Sequence, residues 1–319
     1  MSDALVEAVN LARHFKLPGK RILRAVDGVD LAIVRGGTLG LVGESGSGKS
    51  TFGRMLVGLQ TPSAGDVRFE GETVAGAAGA KLVRLRRQRQ IVFQDPSGAL
   101  NPRMTLGDTI VEHLRVQGWS RPEARVRALE VLAQAGLSDT FSDRYPHEVS
   151  GGQRQRAVIA RAISTDPAFI VADEPVSALD VSTRAQIMNL LRDLQRKSGL
   201  TMLFISHDLS VVAHMCREVA VMYLGRIVER APREALFRAP LHPYTAALLS
   251  AIPLPDPVRE RTRMRIVLNG ETPDPSAIPD GCRFHTRCLR ASEVCSTVVP
   301  ETRALAPAHT VACHHPLDA

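Results

Sequence analysis

The sequence predicts an α/β fold organised around a largely parallel sheet. Three observations carry it. An apolar run, "LGLVG", passes into a glycine loop and then into helical spacing. Two further apolar runs, "AFIVADEP" and "TMLFISHD", read as buried strands. Between them, "DVSTRAQIMNLLRDLQRKSG" is amphipathic. Strands alternating with helices build parallel sheets, because each crossover helix covers one face.

In chain order, residues 1–38 alternate apolar and polar with turn residues, as in "VDGVDLAIVRGG", and predict short antiparallel strands. Leu39, Leu41 and Val42 form a buried strand. After the glycines, Phe52, Met55, Leu56 and Leu59 share a helix face. Residues 98–165 read mostly as helices. In "RPEARVRALEVLAQAGL" the inward face is Val126, Leu129, Leu132 and Ala133, with Gly136 as the stop. The later amphipathic helix turns Ile187, Leu190, Leu191 and Leu194 inward and stops at Gly199. From about residue 238 prolines cluster and four of the five cysteines follow. The organisation expected is a larger α/β unit over 1–237, with a helical subdomain at about 98–165, and an extension over 238–319.

The chain has 319 residues, 44% of them hydrophobic, and a net charge of +7. No apolar run approaches the roughly 20 residues of a membrane span. The start, "MSDALVEAVNLARHF", lacks a basic head followed by a long apolar core, so no secretion signal is expected and the chain should be soluble by itself. Only five of the 40 basic residues are lysine. That bias reads as composition rather than as a patch for nucleic acid, and "RLRRQRQ" at 84–90 as a solvated helix face.

The stretch Gly43–Ser50 has the spacing G-x-x-x-x-G-K-S of a P-loop. Glycines permit the close backbone approach that turns loop N–H groups onto phosphate oxygens. The helix N-terminus adds partial positive charge. Gly43, Glu44, Ser45, Gly46, Ser47, Gly48 and Thr51 form the cradle. Lys49 reaches the β- and γ-phosphates, and Ser50 offers its hydroxyl to Mg²⁺. The nucleotide expected is ATP. Asp173, at the end of a buried strand, is placed for Mg²⁺, and Glu174 beside it to orient or deprotonate a water.

"VSGGQRQR", Val149–Arg156, opens an arginine-containing helix with two glycines, another phosphate-binding element. It resembles the signature motif of ABC ATPases, with Val149 where leucine is usual. Other marks of that family stand in order: Gln94 in "IVFQDP", "SALD" ending in Asp180, and His207 after the third strand. The chain is thereby identified as a member of the ABC ATPases. The resemblance implies a RecA-like core, an N-terminal antiparallel β subdomain and a helical subdomain bearing the signature. It implies that Phe15 stacks on adenine, Gln94 serves metal and water, and His207 meets the γ-phosphate. Ser150, Gly151, Gly152, Gln153 and Asp180 would complete the site of a second cassette.

"FQDPSGALNPRMTLGD", "ADEPVSALDVS", "APLHPYTAALLSAIP" and "LNGETPDPSAIPDGCRFHTRC" look like the oligopeptide/dipeptide importer branch, nearer its F-type than its D-type ATPase subunit. The partners implied are a second ATPase subunit, two membrane permeases and, indirectly, an extracytoplasmic peptide-binding protein. The place implied is the cytoplasmic face of the membrane. Pro96, Leu100, Asn101 and Pro102 make a turn-rich surface segment suited to a permease's coupling helix. Nickel, glutathione or another small solute remain open as cargo, as does a soluble ABC ATPase acting on nucleic acid. A binding-only cassette is disfavoured by Lys49, Asp173, Glu174 and His207.

Cys282, Cys288, Cys295 and Cys313 are spaced C-x5-C-x6-C-x17-C, neither a common zinc pairing nor a ferredoxin run. Disulfides do not suit a cytosolic ATPase. Free thiols or a four-thiolate metal site remain. The importer branch includes members with a [4Fe–4S] cluster in this region. Zinc is the alternative, with His285, His309, His314 and His315 as spare ligands. The Pro-rich stretch from 253 to 281 shows little apolar periodicity, so a metal would supply order that burial cannot. Cys216 reads as a core thiol.

Overall fold

A computed structural model describes residues 4–253, 256, 261 and 265–318. Strands β1 (Ala4–Lys16) and β2 (Ile22–Val34) form an antiparallel pair, extended by β4 (Ala64–Phe69) and β5 (Glu72–Thr73). The two strands are longer than their sequence suggested. Register shifts between Ala8 and Leu11 and beyond let one face stay buried through the bend.

The second sheet has eight strands in the order β11-β12-β10-β9-β3-β8-β7-β6. Its parallel part is β9 (Glu218–Tyr223), β3 (Thr38–Val42), β8 (Thr201–Ser206), β7 (Phe169–Asp173) and β6 (Arg89–Val92). Every residue of β3, β7 and β8 is buried, as strands covered on both faces must be. The three apolar runs read as strands in the sequence are these three.

Helix α1 (Lys49–Leu56) buries Phe52, Met55 and Leu56, but Leu59 lies beyond its end and is exposed. Helix α2 (Gly79–Gln88) leads into β6, and there the basic run departs from its expected solvated face. Arg89 is buried, with Nη1 2.9 Å from the Leu56 carbonyl and Nε 3.1 Å from that of Leu85. Only the outer arginines, Arg84 and Arg86, are solvated.

The helical subdomain contains α3 (Pro96–Ala99), α4 (Leu106–Val116), α5 (Arg121–Gln134) and α6 (Gly151–Ile163). Its α5 corrects the face read from the sequence. Ala124, Ala128, Val131 and Leu132 are buried, while Val126 and Leu129 point outward. Small alanines allow α4 and α6 to approach closely, so size rather than hydrophobicity set the contact. Gly136 does sit just past the end, in left-handed backbone. Helix α7 (Val181–Ser198) buries Ile187, Leu191 and Leu194, with Leu190 partly covered and Gly199 left-handed at its end.

The C-terminal extension packs onto the large sheet. Strand β12 (His309–Ala312) pairs with β10 (Arg226–Pro232), and β11 (Thr302–Ala306) pairs with β12. Phe284 is 1% exposed and meets Tyr223 and Tyr244 with ring centroids 5.3 Å apart in each case. The tail therefore has a core, contrary to expectation. After α8 (Leu209–Met215) and α9 (Arg233–Arg238), α10 (Pro243–Ser250) brings Tyr244. The tail's apolar residues are few, with Phe284 against Tyr223 and Tyr244 and Val311 and Cys313 against Leu241, so no periodicity announces them.

Candidate active site

The glycine loop leaves β3 and enters α1 at the carboxyl ends of the parallel strands, where α/β sheets place ligands. Two glycines are obligatory here. Gly43 has φ 152° and an added Cβ would stand 2.1 Å from the Met222 carbonyl oxygen. Gly48 has φ 106° and its Cβ would stand 2.0 Å from the Ala25 carbonyl oxygen. Lys49 is buried, and its ammonium donates to the carbonyls of Gly43 at 2.8 Å and Glu44 at 2.7 Å, and to Ser47 Oγ at 3.3 Å. Burial pushes its pKa down, and the nearby charges of Glu174, Asp173 and Glu44 oppose that shift.

A cavity of about 630 Å³ opens over the loop, lined among others by Phe15, Ser45, Gly46, Gly48, Lys49, Ser50, Thr51, Gln94, Glu174 and His207. Phe15 comes from β1, so the antiparallel sheet supplies an aromatic wall, with the Arg13 guanidinium 4.6 Å from the ring centroid. Gly43, Glu44 and Ser47 of the loop, and Asp173, do not line this cavity.

Ser50 Oγ donates to Asp173 Oδ1 at 2.8 Å, so α1 and β7 present a hydroxyl and a carboxylate side by side. Burial raises the Asp173 pKa against the pull of that hydrogen bond. A dry carboxylate with a hydroxyl partner is a fitting pair of oxygens for a hard cation. Glu174 follows with left-handed backbone, φ 47°, strain of the kind that gathers at functional sites. Its N–H donates to the Ile205 carbonyl at 3.0 Å, which fixes it at the strand end. Gln94 Nε2 donates to Glu174 Oε2 at 3.0 Å, and His207 Nδ1 stands 3.0 Å from the same oxygen. Residues 80 and 33 positions away thus converge on one carboxylate at the cavity wall.

The signature lies apart. Ser150 caps α6 through the Gln153 N–H at 3.3 Å, and Gln153 Oε1 accepts the Ser150 N–H at 2.9 Å. Gly151 and Gly152 open the helix, and a Cβ on Gly152 would stand 2.4 Å from Thr183 Cγ2. Asp180 caps α7 through the Thr183 N–H at 2.9 Å. None of these residues lines the P-loop cavity.

Comparison with known proteins decides the family. The ABC transporter model matches residues 26–177, and the model for the oligopeptide/dipeptide transporter C-terminal region matches 228–295. A Brucella ovis protein provisionally named a peptide import ATP-binding protein is 50% identical over 310 residues, 97% of each chain. The oligopeptide transport ATP-binding protein AppF of Bacillus subtilis is 49% identical, over 92% of this chain and 89% of its own. The chain belongs to the ABC transporter ATP-binding proteins. Its fold matches that of the dimeric ATP-binding cassette MJ0796 in a post-hydrolysis state with ADP and Pi, at a TM-score of 0.65 and 32% identity over 72% of this chain and 98% of the other.

In this ABC ATPase the segment expected to meet a permease is less exposed than the sequence suggested. Pro96 and Leu100 are buried as anchors, while Asn101 and Pro102 face solvent. Asp95 caps α3 through the N–H groups of Ser97 and Gly98.

The four tail cysteines are unpaired thiols. They lie near enough to oppose one another's ionisation, and burial pushes up the pKa of Cys282, of Cys288 and of Cys313, the last to about 11. Among the described residues no group of three or more His, Cys, Asp or Glu side chains is close enough to hold a single metal ion. The histidines considered as zinc ligands are engaged elsewhere. His285 meets the Cys282 carbonyl at 2.8 Å, His309 the buried Glu229 at 2.7 Å, His314 the Val298 carbonyl at 2.8 Å and His315 Ser292 Oγ at 2.6 Å. Cys216 is buried against Gly40, as expected of a core thiol.

Sequence reading missed Tyr244, Thr272, Pro275 and Arg287. Tyr244 Oη accepts the Glu44 N–H at 2.9 Å, and Pro275 lines the nucleotide cavity. Only the four-residue repeat of arginine in "CRFHTRC", Arg283 and Arg287, hinted at a buried basic pair.

Proposed function

We propose that this chain is the ATP-hydrolysing subunit of an ABC importer for di- or oligopeptides. The observation that carries the hydrolytic part is the Glu174 carboxylate, held by Gln94 and His207 at the wall of a P-loop cavity. The peptide cargo rests on the match of the C-terminal region and on the relatives' names.

Phe15 stacks on the adenine. The loop N–H groups and Lys49 meet the phosphates, and Lys49 trades its two carbonyl partners for β- and γ-phosphate oxygens. Ser50 and Asp173, with the Gln94 amide oxygen, hold Mg²⁺, which neutralises phosphate charge when bound. Glu174 accepts a proton from the attacking water while the water's oxygen bonds to the γ-phosphorus. The bond to the bridging oxygen breaks, and ADP leaves with the electron pair. His207 donates to the γ-phosphate. Ser150, Gly151, Gly152, Gln153 and Asp180 face the nucleotide of a second ATPase subunit, so each cassette completes its partner's site. The pair works on the cytoplasmic face of the membrane beneath two permease subunits, fed by an extracytoplasmic binding protein. A sister chain, rather than a second copy, fits the F-type resemblance. The cassette runs over 1–237 and the extension over 238–319.

The extension holds a [4Fe–4S] cluster in this reading. Its donor set supports the fit. Cys282 Sγ accepts N–H groups from Phe284 and His285, Cys288 Sγ that of Arg290 at 3.4 Å, and Cys313 Sγ that of His315. Such N–H···S bonds stabilise thiolates in metal knuckles. A single zinc would draw four sulfurs to within about 4 Å of one another, from its Zn–S bonds of ~2.3 Å. A cluster that spreads its irons over a cube takes four thiolates, and the chain offers four free thiols near enough to affect one another's ionisation.

Glu174→Gln retains MgATP binding but lowers turnover by about a thousandfold, the middle of the range for losing a general base. Near-parental turnover moves the base elsewhere. In vesicles carrying the permeases and the sister subunit, peptide-loaded binding protein stimulates ATP hydrolysis. Stimulation by nickel or glutathione but not by peptides reassigns the cargo, and stimulation by nucleic acid removes the importer reading. Protein purified without oxygen carries about four irons per chain. One zinc, or no metal, overturns the cluster.

A further inference from the structure

The P-loop spacing leaves the residue after Gly43 open, and here it is glutamate. A carboxylate in a loop that receives phosphates is electrostatically adverse, since like charges at short range repel. The structure shows how it is handled. Arg287 Nη1 donates to Glu44 Oε2 at 2.7 Å and Arg287 Nη2 to Oε1 at 3.0 Å, a bidentate pair. Thr272 Oγ1 donates to Oε2 at 2.8 Å. The Arg287 side chain is only 9% exposed. Its Nη1 also lies 3.2 Å from Thr272 Oγ1 and 3.5 Å from Tyr223 Oη.

The backbone of the same glutamate is held too. Its N–H donates to Tyr244 Oη, and its carbonyl accepts the Lys49 ammonium at 2.7 Å. Glu44 therefore ties the loop to the extension by its side chain, to α10 by its N–H and to α1 by its carbonyl. Pro275, three residues from Thr272, reaches the nucleotide cavity and accepts the Arg24 N–H at 3.2 Å.

We infer that Arg287 is a positioning residue of the phosphate-binding loop. The C-terminal extension delivers, from 243 residues away, the guanidinium that neutralises Glu44 and turns its carboxylate from the phosphates. The extension is in this sense part of the nucleotide site, independent of what its cysteines bind. The inference rests on ATP as the ligand of the loop.

The test uses the full chain with its transporter partners and compares the parent with Arg287→Met, alone and combined with Glu44→Gln. Arg287→Met raises KM for MgATP by about tenfold with kcat changed less than about threefold, because an uncompensated carboxylate opposes the phosphates. The rise shrinks as salt is added, since screening weakens the repulsion. Adding Glu44→Gln brings KM back to within about threefold of the parent, because the offending charge is gone. If Arg287→Met does not fold, the double variant carries the test alone, being free of the isolated buried charge. An unchanged KM in Arg287→Met, or a raised KM that Glu44→Gln does not relieve, overturns the inference and leaves Arg287 a packing residue. A parent without measurable MgATP turnover would instead remove the ATP reading on which the inference stands.

Discussion

The site depends on a buried ammonium that, among the described residues, has no carboxylate in contact. Lys49 lies at the floor of the cavity and is satisfied by two backbone carbonyls and the Ser47 hydroxyl. Carbonyl oxygens stabilise the charge through dipoles, but less than a full anion would, and burial makes the shortfall costly. The nearest anions, Glu174, Asp173 and Glu44, act from a distance. Such an arrangement is poised for an incoming polyanion. Glycine at positions 43 and 48 is what lets the chain close this tightly, because any side chain there would strike the backbone of Met222 or Ala25.

From that constraint the rest of the architecture follows. The parallel strands end together, so β3 brings the loop, β7 brings Asp173 and Glu174, and β8 brings His207 to one edge. The antiparallel sheet adds Phe15 from the side. The helical subdomain sends Gln94 inward on its leading segment, but its signature helix starts elsewhere, against the first turn of α7. The P-loop cavity and the signature thus stand apart within one chain. Under the function proposed above, ATP-dependent pairing with a sister cassette would bring the two together and supply a bistable element.

Motif spacing made the P-loop, the paired acids, Gln94 and His207 legible, because each sits where a strand ends and the chain has few ways to satisfy it. The α5 face was not legible. A rule that seeks large apolar residues chose Val126 and Leu129, but close helix packing selected Ala124 and Ala128. Arg89 and Arg87 looked solvated because charge suggests water; they are instead used to satisfy carbonyls of Leu85, Leu56 and Gln117. The link between Glu44 and Arg287 could not be read, since no local pattern joins residues so far apart. The cysteines were legible as a group, and their N–H···S bonds only from structure.

The most direct test of the account is MgATP affinity in Lys49→Ala, measured by calorimetry beside the parent. The apo variant should fold as well as the parent or better, because it no longer buries an ammonium held by neutral acceptors alone. Its affinity for MgATP should fall by at least roughly a hundredfold, about 2.7 kcal/mol. An affinity equal to the parent's in a correctly folded variant would contradict the claim that this ammonium awaits a polyphosphate.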